Sequence, residues 1–222
     1  MPRAIVFDLD GTLIDSAPDL HAAINLVLAE EGAAPVTLAE TVGFIGHGIP
    51  HLTGLAREAR GIAPERQQAM TDAMFRHYLA NPATLTRPYA DVPEVLTALA
   101  RAGYRMGLCT NKALAPTLEI LDTLDLRRHF SVVIGGDSLP QKKPDPAPLH
   151  AAFAALDGPA ALYVGDSEVD AETARAAGVD FALFAHGYRK TPVADLPHRF
   201  AFEHFRDLPG LLSDHIGPPM PM

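Results

Sequence analysis

The chain has 222 residues, 48% of them hydrophobic, a formal net charge of −9 and only four lysines. That length suits one core domain with a modest insertion, and so acidic a chain lacks the clustered positive charge needed to hold nucleic acid or an anionic membrane surface. The single cysteine, Cys109, excludes an internal disulfide, fits a reducing compartment and, inside "MGLCT", reads as a buried strand residue; no run approaches the roughly 18 apolar residues of a membrane span or has the form of a signal peptide, so a soluble cytoplasmic protein is expected.

In chain order, the apolar run Ala4 to Phe7 stops at two acids, Asp8 and Asp10. A short continuous apolar run of this kind predicts a strand covered on both faces, and ligands of parallel sheets sit beyond the carboxyl ends of such strands. Ser16 and Asp19, with Pro18 between them, read as a capping pair for a helix in which Leu20, Ile24, Val27 and Leu28 recur at helical spacing up to Gly32. Thr37 and Glu40 repeat that pattern. A glycine-rich break at Gly46 to Gly48 precedes a helix from about Pro50 to Arg60, and Pro64 opens another that places Met70, Met74 and Tyr78 on one face. Four helices without a strand predict a bundle inserted after strand one, reached through linkers at Asp15 to Ala17 and Pro82 to Pro88.

From Asp91, read with Pro93 and Glu94 as a helix cap, the chain alternates. A helix to Gly103 leads to the strand "RMGLCT", a helix to about Leu124 to "VVIGG", a helix from about Pro146 to "ALYVGD", and a helix to Gly178 to "DFALF". This rhythm predicts an α/β fold: a doubly wound parallel-sheet core of Rossmann-like type over 1–16 and 83–215, carrying a four-helix cap over 17–82. The proline-rich tail 216–222 is expected to be mobile.

Three further stretches bring chemistry to strand ends. "MGLCT" runs into Thr110, Asn111 and Lys112, a hydroxyl followed by backbone N–H groups where a helix begins, which favours an anion. "QKKPDPAPL" sets Lys142 and Lys143 against a stiff proline turn. "ALYVGD" ends in Asp166 with Asp170 four residues on, and with Asp8 and Asp10 these acids make a hard oxygen site of the kind Mg²⁺ prefers. Singly, each has a plain structural explanation: an Asp-Gly turn, a helix cap, a surface basic pair.

Together, and in this order across residues 8 to 170, the four stretches resemble the four motifs of the haloacid dehalogenase superfamily of phosphatases. The resemblance implies that Asp8 attacks phosphorus, that Asp10 is the acid/base oriented by Thr12, and that Thr110 holds a phosphoryl oxygen. It gives the lysine role to Lys143, which directly precedes the proline, over Lys142, and substrate contacts to Gly11, Thr12 and Asn111. Mg²⁺ would be held by Asp8, the Asp10 carbonyl and Asp166, with Asp170 in the same acidic set. A phosphate dianion about 4 Å from one carboxylate meets a repulsion of roughly 8 kcal/mol at an effective dielectric of about 20, so the nucleophile needs both the cation and the lysine beside it.

Asp10 sets the chain apart from dehalogenases and cation pumps of that superfamily, and the absence of any lysine between Gly11 and Asn111 disfavours Schiff-base phosphonate cleavage. The stretches "DSAPDLHAAIN", "CTNK" and "YVGDSEVDAETARAAG" most resemble the bacterial phosphoglycolate phosphatases, which implies hydrolysis of 2-phosphoglycolate, its carboxylate received by N–H groups around Gly46, His47 and Gly48. His47 stands where that group commonly has asparagine, and His47 with His51 makes an incomplete zinc site. A phosphomutase of the β-phosphoglucomutase type, a phosphatase for another small phosphometabolite or pyrophosphate, and a non-catalytic phosphometabolite sensor are the alternatives, the last disfavoured because a binder gains nothing from two acids facing a dianion. The expected partner is a small phosphorylated metabolite, with no nucleic acid and no membrane, and the chain a monomer or homodimer.

Overall fold

The computed structural model describes residues 3–80, 83–156 and 158–217. Its centre is β1 (Ala4–Phe7), every residue of which is buried. Ile5 and Phe7 join the core on one face of the sheet, while Ala4 and Val6 join the core on the other, as the two-residue period of extended backbone requires. That is why the run is continuously apolar: neither face of this strand meets water.

β1 pairs in parallel with both β4 (Arg105–Cys109) and β6 (Ala160–Gly165). β5 (Val132–Ile134) adds outside β4, and β7 (Phe181–Phe184) and β8 (Phe200–Phe202) continue beyond β6, giving the order β5-β4-β1-β6-β7-β8. The six-stranded parallel sheet is the expected α/β core. Helices α5 (Val92–Arg101) and α9 (Leu208–His215) bury Leu96, Leu99, Leu208 and Leu212 on the Phe7 face. On the opposite face α7 (Ala147–Ala155) and α8 (Glu168–Ala177) bury Leu149, Phe153, Ala171 and Ala174. Between β4 and β5 runs α6 (Leu114–Thr123). The chain moves outward from β1 to β4 and β5, then returns to its other side at β6, so the carboxyl ends of β1, β4 and β6 flank the crevice where the winding reverses.

The insert leaves through β2 (Ile14–Asp15) and returns through β3 (Arg87–Pro88), which pair antiparallel. Between them lie α1 (Ala17–Glu30), α2 (Leu38–Phe44), α3 (Ile49–Ala59) and α4 (Gln67–Ala80). α1 packs on α4 and α2, and α3 on α4. Met70, Met74 and Tyr78 are all buried there, on the single face their spacing implied. The Thr37 and Glu40 capping box at the start of α2 is formed.

Several expectations fail locally. Ser16 does stand at the N-cap of α1 but makes no side-chain cap bond there; its hydroxyl donates instead to Asp10 Oδ1 at 2.5 Å. Asp19 accepts from the backbone of Leu85 and Thr86, tying the two linkers together rather than closing a box. Asp91 adopts a left-handed backbone (φ 67°) and caps nothing with its side chain. The sequence gives no strand at β8 or helix at α9, both too short to show a period. Pro82, residues 218–222 of the tail and the last residues assigned to the cap lie outside the described residues. No helix among the described residues is long and apolar enough to cross a membrane.

Candidate active site

Four segments converge at the crevice. The backbone N–H of Asp8 donates to Val164 O at 2.9 Å and that of Thr110 to Ile134 O at 3.0 Å, so both residues still belong to the sheet's hydrogen-bond pattern as their side chains reach its edge. Asp166 follows β6 directly, and the loop before α7 brings Lys143 across. They line, or lie against, a cavity of about 430 Å³ shared with Ile45, Gly46, His47, Gly48 and Phe75 of the insert.

Lys143 is the central cation. Its Nζ lies 2.7 Å from Asp170 Oδ1, 2.8 Å from the Tyr163 hydroxyl and 2.9 Å from Asp8 Oδ1. Burial works against its charge, but Asp170 and Asp8 more than offset that and raise its pKa. The contact to Asp8 is close enough for an ion pair, yet its direction makes no hydrogen bond, and Asp8 Oδ1 is a buried oxygen without a hydrogen-bond partner. Burial, then the Asp170 charge, push the Asp8 carboxyl up to about 7 against the pull of Lys143. Lys142 lines the same cavity but makes none of these contacts among the described residues.

Asp166, fully buried, accepts from Thr12 Oγ1 at 2.7 Å on Oδ1 and from the Tyr188 N–H at 2.6 Å on Oδ2. Its pKa is raised well above the ordinary range by burial, then by Asp170 and Asp8. Gly11 makes room for it: at φ +87° any Cβ there would come within 2.5 Å of Asp166 Oδ2. Gly11 and Thr12 therefore sit behind Asp166 and not on the cavity wall, where substrate contact was expected of them. Thr12 orients Asp166, not Asp10 as expected.

Asp170 is also placed differently from expectation. Oδ1 accepts from Lys143 and from Tyr163 (2.8 Å), and Oδ2 from the Ser167 hydroxyl (2.6 Å) and the N–H groups of Asp166 (3.2 Å) and Ser167 (3.1 Å). A carboxylate has about four lone-pair sites, so this one is saturated. Although burial opposes its charge, Lys143, Ser167 and Tyr163 hold its pKa below the usual carboxylate value. Oxygens of Asp8, Asp166 and Asp170 lie within 4.8 Å of one another, yet only Asp8 and Asp166 have acceptor capacity left. The buried Asp8 oxygen without a hydrogen bond, set beside Asp166 in an all-oxygen group, fits a hard divalent cation such as Mg²⁺. The Asp10 carboxylate stays outside that group.

Asp10 instead meets Lys112, whose Nζ lies 3.0 and 3.1 Å from its two oxygens. Lys112 is buried, with Tyr78 of α4 presenting its ring 4.7 Å away; burial works against its charge, but Asp10 and Tyr78 raise its pKa. Asn111 spends its side chain on structure: Nδ2 donates to Gly46 O and Lys143 O, each at 3.0 Å, and Oδ1 accepts from the Lys143 N–H at 3.0 Å. It fastens the glycine turn of the insert to the core and also lines the cavity. Thr110 Oγ1 accepts from the Lys112 N–H at 3.2 Å and borders the cavity. The His47 and His51 rings stand 4.9 Å apart, and no third ligand joins them among the described residues. Burial, then His51 and Lys190, lower the His47 pKa.

Sequence reasoning missed Lys112, Tyr163, Ser16 and Tyr188 as site residues. Lys112 was in view, but nothing local marks which acid it meets 102 positions away. The Tyr163 hydroxyl reaches Lys143 from within a strand that reads as pure core.

Residues 5–184 match the family model described as haloacid dehalogenase-like hydrolase. The chain is 55% identical over 210 residues to the phosphoglycolate phosphatase of Cereibacter sphaeroides (strain ATCC 17029), covering 94% of this chain and 96% of that protein. It is 42% identical to the phosphoglycolate phosphatase of Rhodobacter capsulatus, covering 96% and 98% of the two. Among solved structures it superimposes on a protein from Haemophilus somnus 129PT, described as a predicted phosphoglycolate phosphatase, with a TM-score of 0.89, 29% identity and coverage of 95% and 97%.

Proposed function

This chain belongs to the haloacid dehalogenase-like hydrolases, and on that premise we propose that it hydrolyses 2-phosphoglycolate to glycolate and phosphate through a phosphoryl intermediate on Asp8. The observation that carries the reading is the buried Asp8 carboxylate, one oxygen free of hydrogen bonds and 2.9 Å from the Lys143 ammonium. A nucleophile needs that free lone pair. Relatives named phosphoglycolate phosphatase at 55% and 42% identity support the choice of substrate.

In the proposed course, Asp8 attacks phosphorus while Asp10 gives a proton to the departing alkoxide; Asp10 then takes a proton from the water that cleaves the aspartyl-phosphate. Lys143 lowers the repulsion between Asp8 and the incoming dianion, and Asp170 with Tyr163 fixes where that ammonium points. Thr110 supplies a hydroxyl for a phosphoryl oxygen. Mg²⁺, held by Asp8 and Asp166 with the Asp10 carbonyl, would supply positive charge against the phosphoryl oxygens. Residues 17–82 act as the cap, and the turn Gly46–Gly48 at the start of α3 offers backbone N–H groups to the far end of the substrate. The one cysteine, Cys109, is a buried free thiol, which fits a reducing, cytoplasmic setting.

Phosphate release from a panel of small phosphomonoesters with Mg²⁺ tests this reading. 2-Phosphoglycolate should be the preferred substrate, and Asp8→Asn should abolish turnover while still binding it; wild-type turnover in that variant would refute the nucleophile.

A further inference from the structure

Two buried lysines serve two acids in this site. Lys143 faces Asp8, and Lys112 sits on both oxygens of Asp10. The first neutralises a nucleophile. The second needs another explanation, because Asp10 is not the nucleophile and the ammonium on it also lines the cavity.

Lys112 lines the cavity, its chain is a flexible stem with three donors, and the Tyr78 ring lies 4.7 Å from its ammonium. A second anion on the substrate is what would draw it. In 2-phosphoglycolate the carboxylate carbon is two bonds from the ester oxygen that Asp10 protonates, so an ammonium already on Asp10 is beside the place where that carboxylate must lie.

We propose that Lys112 reads the substrate's carboxylate, exchanging an oxygen of Asp10 for it, and so selects phosphomonoesters that bear a carboxylate one carbon from the ester oxygen. This rests on the phosphatase reading above and goes beyond it by naming the charge that recognises the tail. The proton count closes: Asp10 gives a proton to the alkoxide as the P–O bond breaks and recovers one from the water that cleaves the aspartyl-phosphate.

The test compares 2-phosphoglycolate with ethyl phosphate, which has a methyl group in place of the carboxylate. Wild-type, Lys112→Met and Lys112→Gln enzymes are assayed with Mg²⁺, and the ratio of kcat/KM for the two substrates is read. The ratio should fall about 10- to 100-fold in both variants, the worth of one hydrogen bond to a charged group. If Lys112 merely steadies Asp10, both substrates suffer alike and the ratio holds, which overturns the proposal; so does a wild-type enzyme without preference for the carboxylate. Glutamine can still hydrogen-bond Asp10 but has no charge, so a wild-type ratio in Lys112→Gln also overturns it. Calorimetric binding in the Asp8→Asn background separates the two readings. There, Lys112→Met should weaken 2-phosphoglycolate by a similar factor and ethyl phosphate far less. Equal losses overturn the role of Lys112 while leaving hydrolysis untouched, and a wild-type enzyme that releases phosphate from neither ester overturns the hydrolase reading while this binding arm still decides Lys112.

Discussion

Replacing Asp170 with asparagine separates two roles for that acid, holding a cation or holding Lys143. The side chain is fully buried and its two oxygens take five hydrogen bonds, so asparagine, with one acceptor oxygen and one donor nitrogen, must present N–H groups either to Lys143 and Tyr163 or to the Ser167 cluster. Breaking a buried ion pair by removing one partner costs about 3–5 kcal/mol. Part of that is returned, since Asp170 is the second contributor, after burial, to the raised pKa of Asp8, and each unit of pKa relieved is worth about 1.4 kcal/mol. A net loss of roughly 2–4 kcal/mol remains, which at about 2–4 °C per kcal/mol for a domain of this size lowers Tm by roughly 4–16 °C. The assay is calorimetric melting at pH 7 in EDTA, where no divalent cation is present. If Asp170 were a cation ligand and nothing else, its removal would relieve carboxylate repulsion and the cation-free protein would melt at the same temperature or higher. That result would refute the anchoring role.

The same raised pKa values give a pH signature. Asp8, with its folded pKa about 7 against an ordinary value of 3.8, and Asp166, also raised, contribute stability that is present below the unfolded pKa and lost as pH rises through the folded one. In EDTA, Tm should therefore fall between about pH 4 and 7, and Asp8→Asn should flatten the fall; a slope unchanged by that substitution would count against Asp8 as its source. Asp170 runs the other way, its depressed pKa giving stability that is present above the unfolded value and lost as acid passes through the folded one. Thr12→Val removes the 2.7 Å bond to Asp166 and should raise the Mg²⁺ concentration for half-maximal activity several-fold, roughly the worth of one hydrogen bond to a carboxylate, with KM for substrate little changed; an unaltered Mg²⁺ titration would deny Thr12 its role. Gly11→Ala places a Cβ against Asp166 at φ +87° and should cost at least about 2 kcal/mol in urea melts, more than the same change at Gly210, where nothing lies within 4 Å of the added atom.

The parallel core was legible because its strands are buried on both faces, and burial on both faces leaves a continuous apolar run that ends where the crevice begins. Asp8, Thr110 and Asp166 stand at such ends, so a run of apolar letters and the first polar one after it located all three. Lys143 and Asp170 lie off the strands; the choice of Lys143 over Lys142 came from the motif order, and Asp170 from its place four residues after Asp166. The pairings were not legible. Ser16 and Asp91 have capping residue types in capping positions, yet Ser16 bonds to Asp10 and Asp91 caps nothing with its side chain. A hydroxyl turns its proton to whichever acceptor the tertiary fold brings near, and an ionised carboxylate makes the stronger bond. Lys112 and Asp10 are a hundred residues apart in the chain, and nothing in either neighbourhood names the other.

Those unforeseen bonds explain how the helical insert and the chemistry come to share atoms. Tyr188 donates its backbone N–H to Asp166, while its buried hydroxyl accepts from the N–H groups of Ser16 (2.8 Å) and Ala17 (3.0 Å) and donates to Asp15 Oδ1 at 2.7 Å. Two of the N–H groups that the first turn of α1 leaves without helical partners are thus satisfied by the hydroxyl of the residue that bonds Asp166, with the Asp15 carboxylate also 3.3 Å from the Ala17 N–H. Ser16, one residue before that helix, holds Asp10. The outgoing linker is in this way bonded to both Asp10 and the neighbour of Asp166, and Asp19 ties it in turn to the returning linker at Leu85 and Thr86. A displacement of α1 to α4 about these linkers would act on Ser16 and through it on Asp10, whereas Asp8 is set in the middle of the sheet and bonded to Val164.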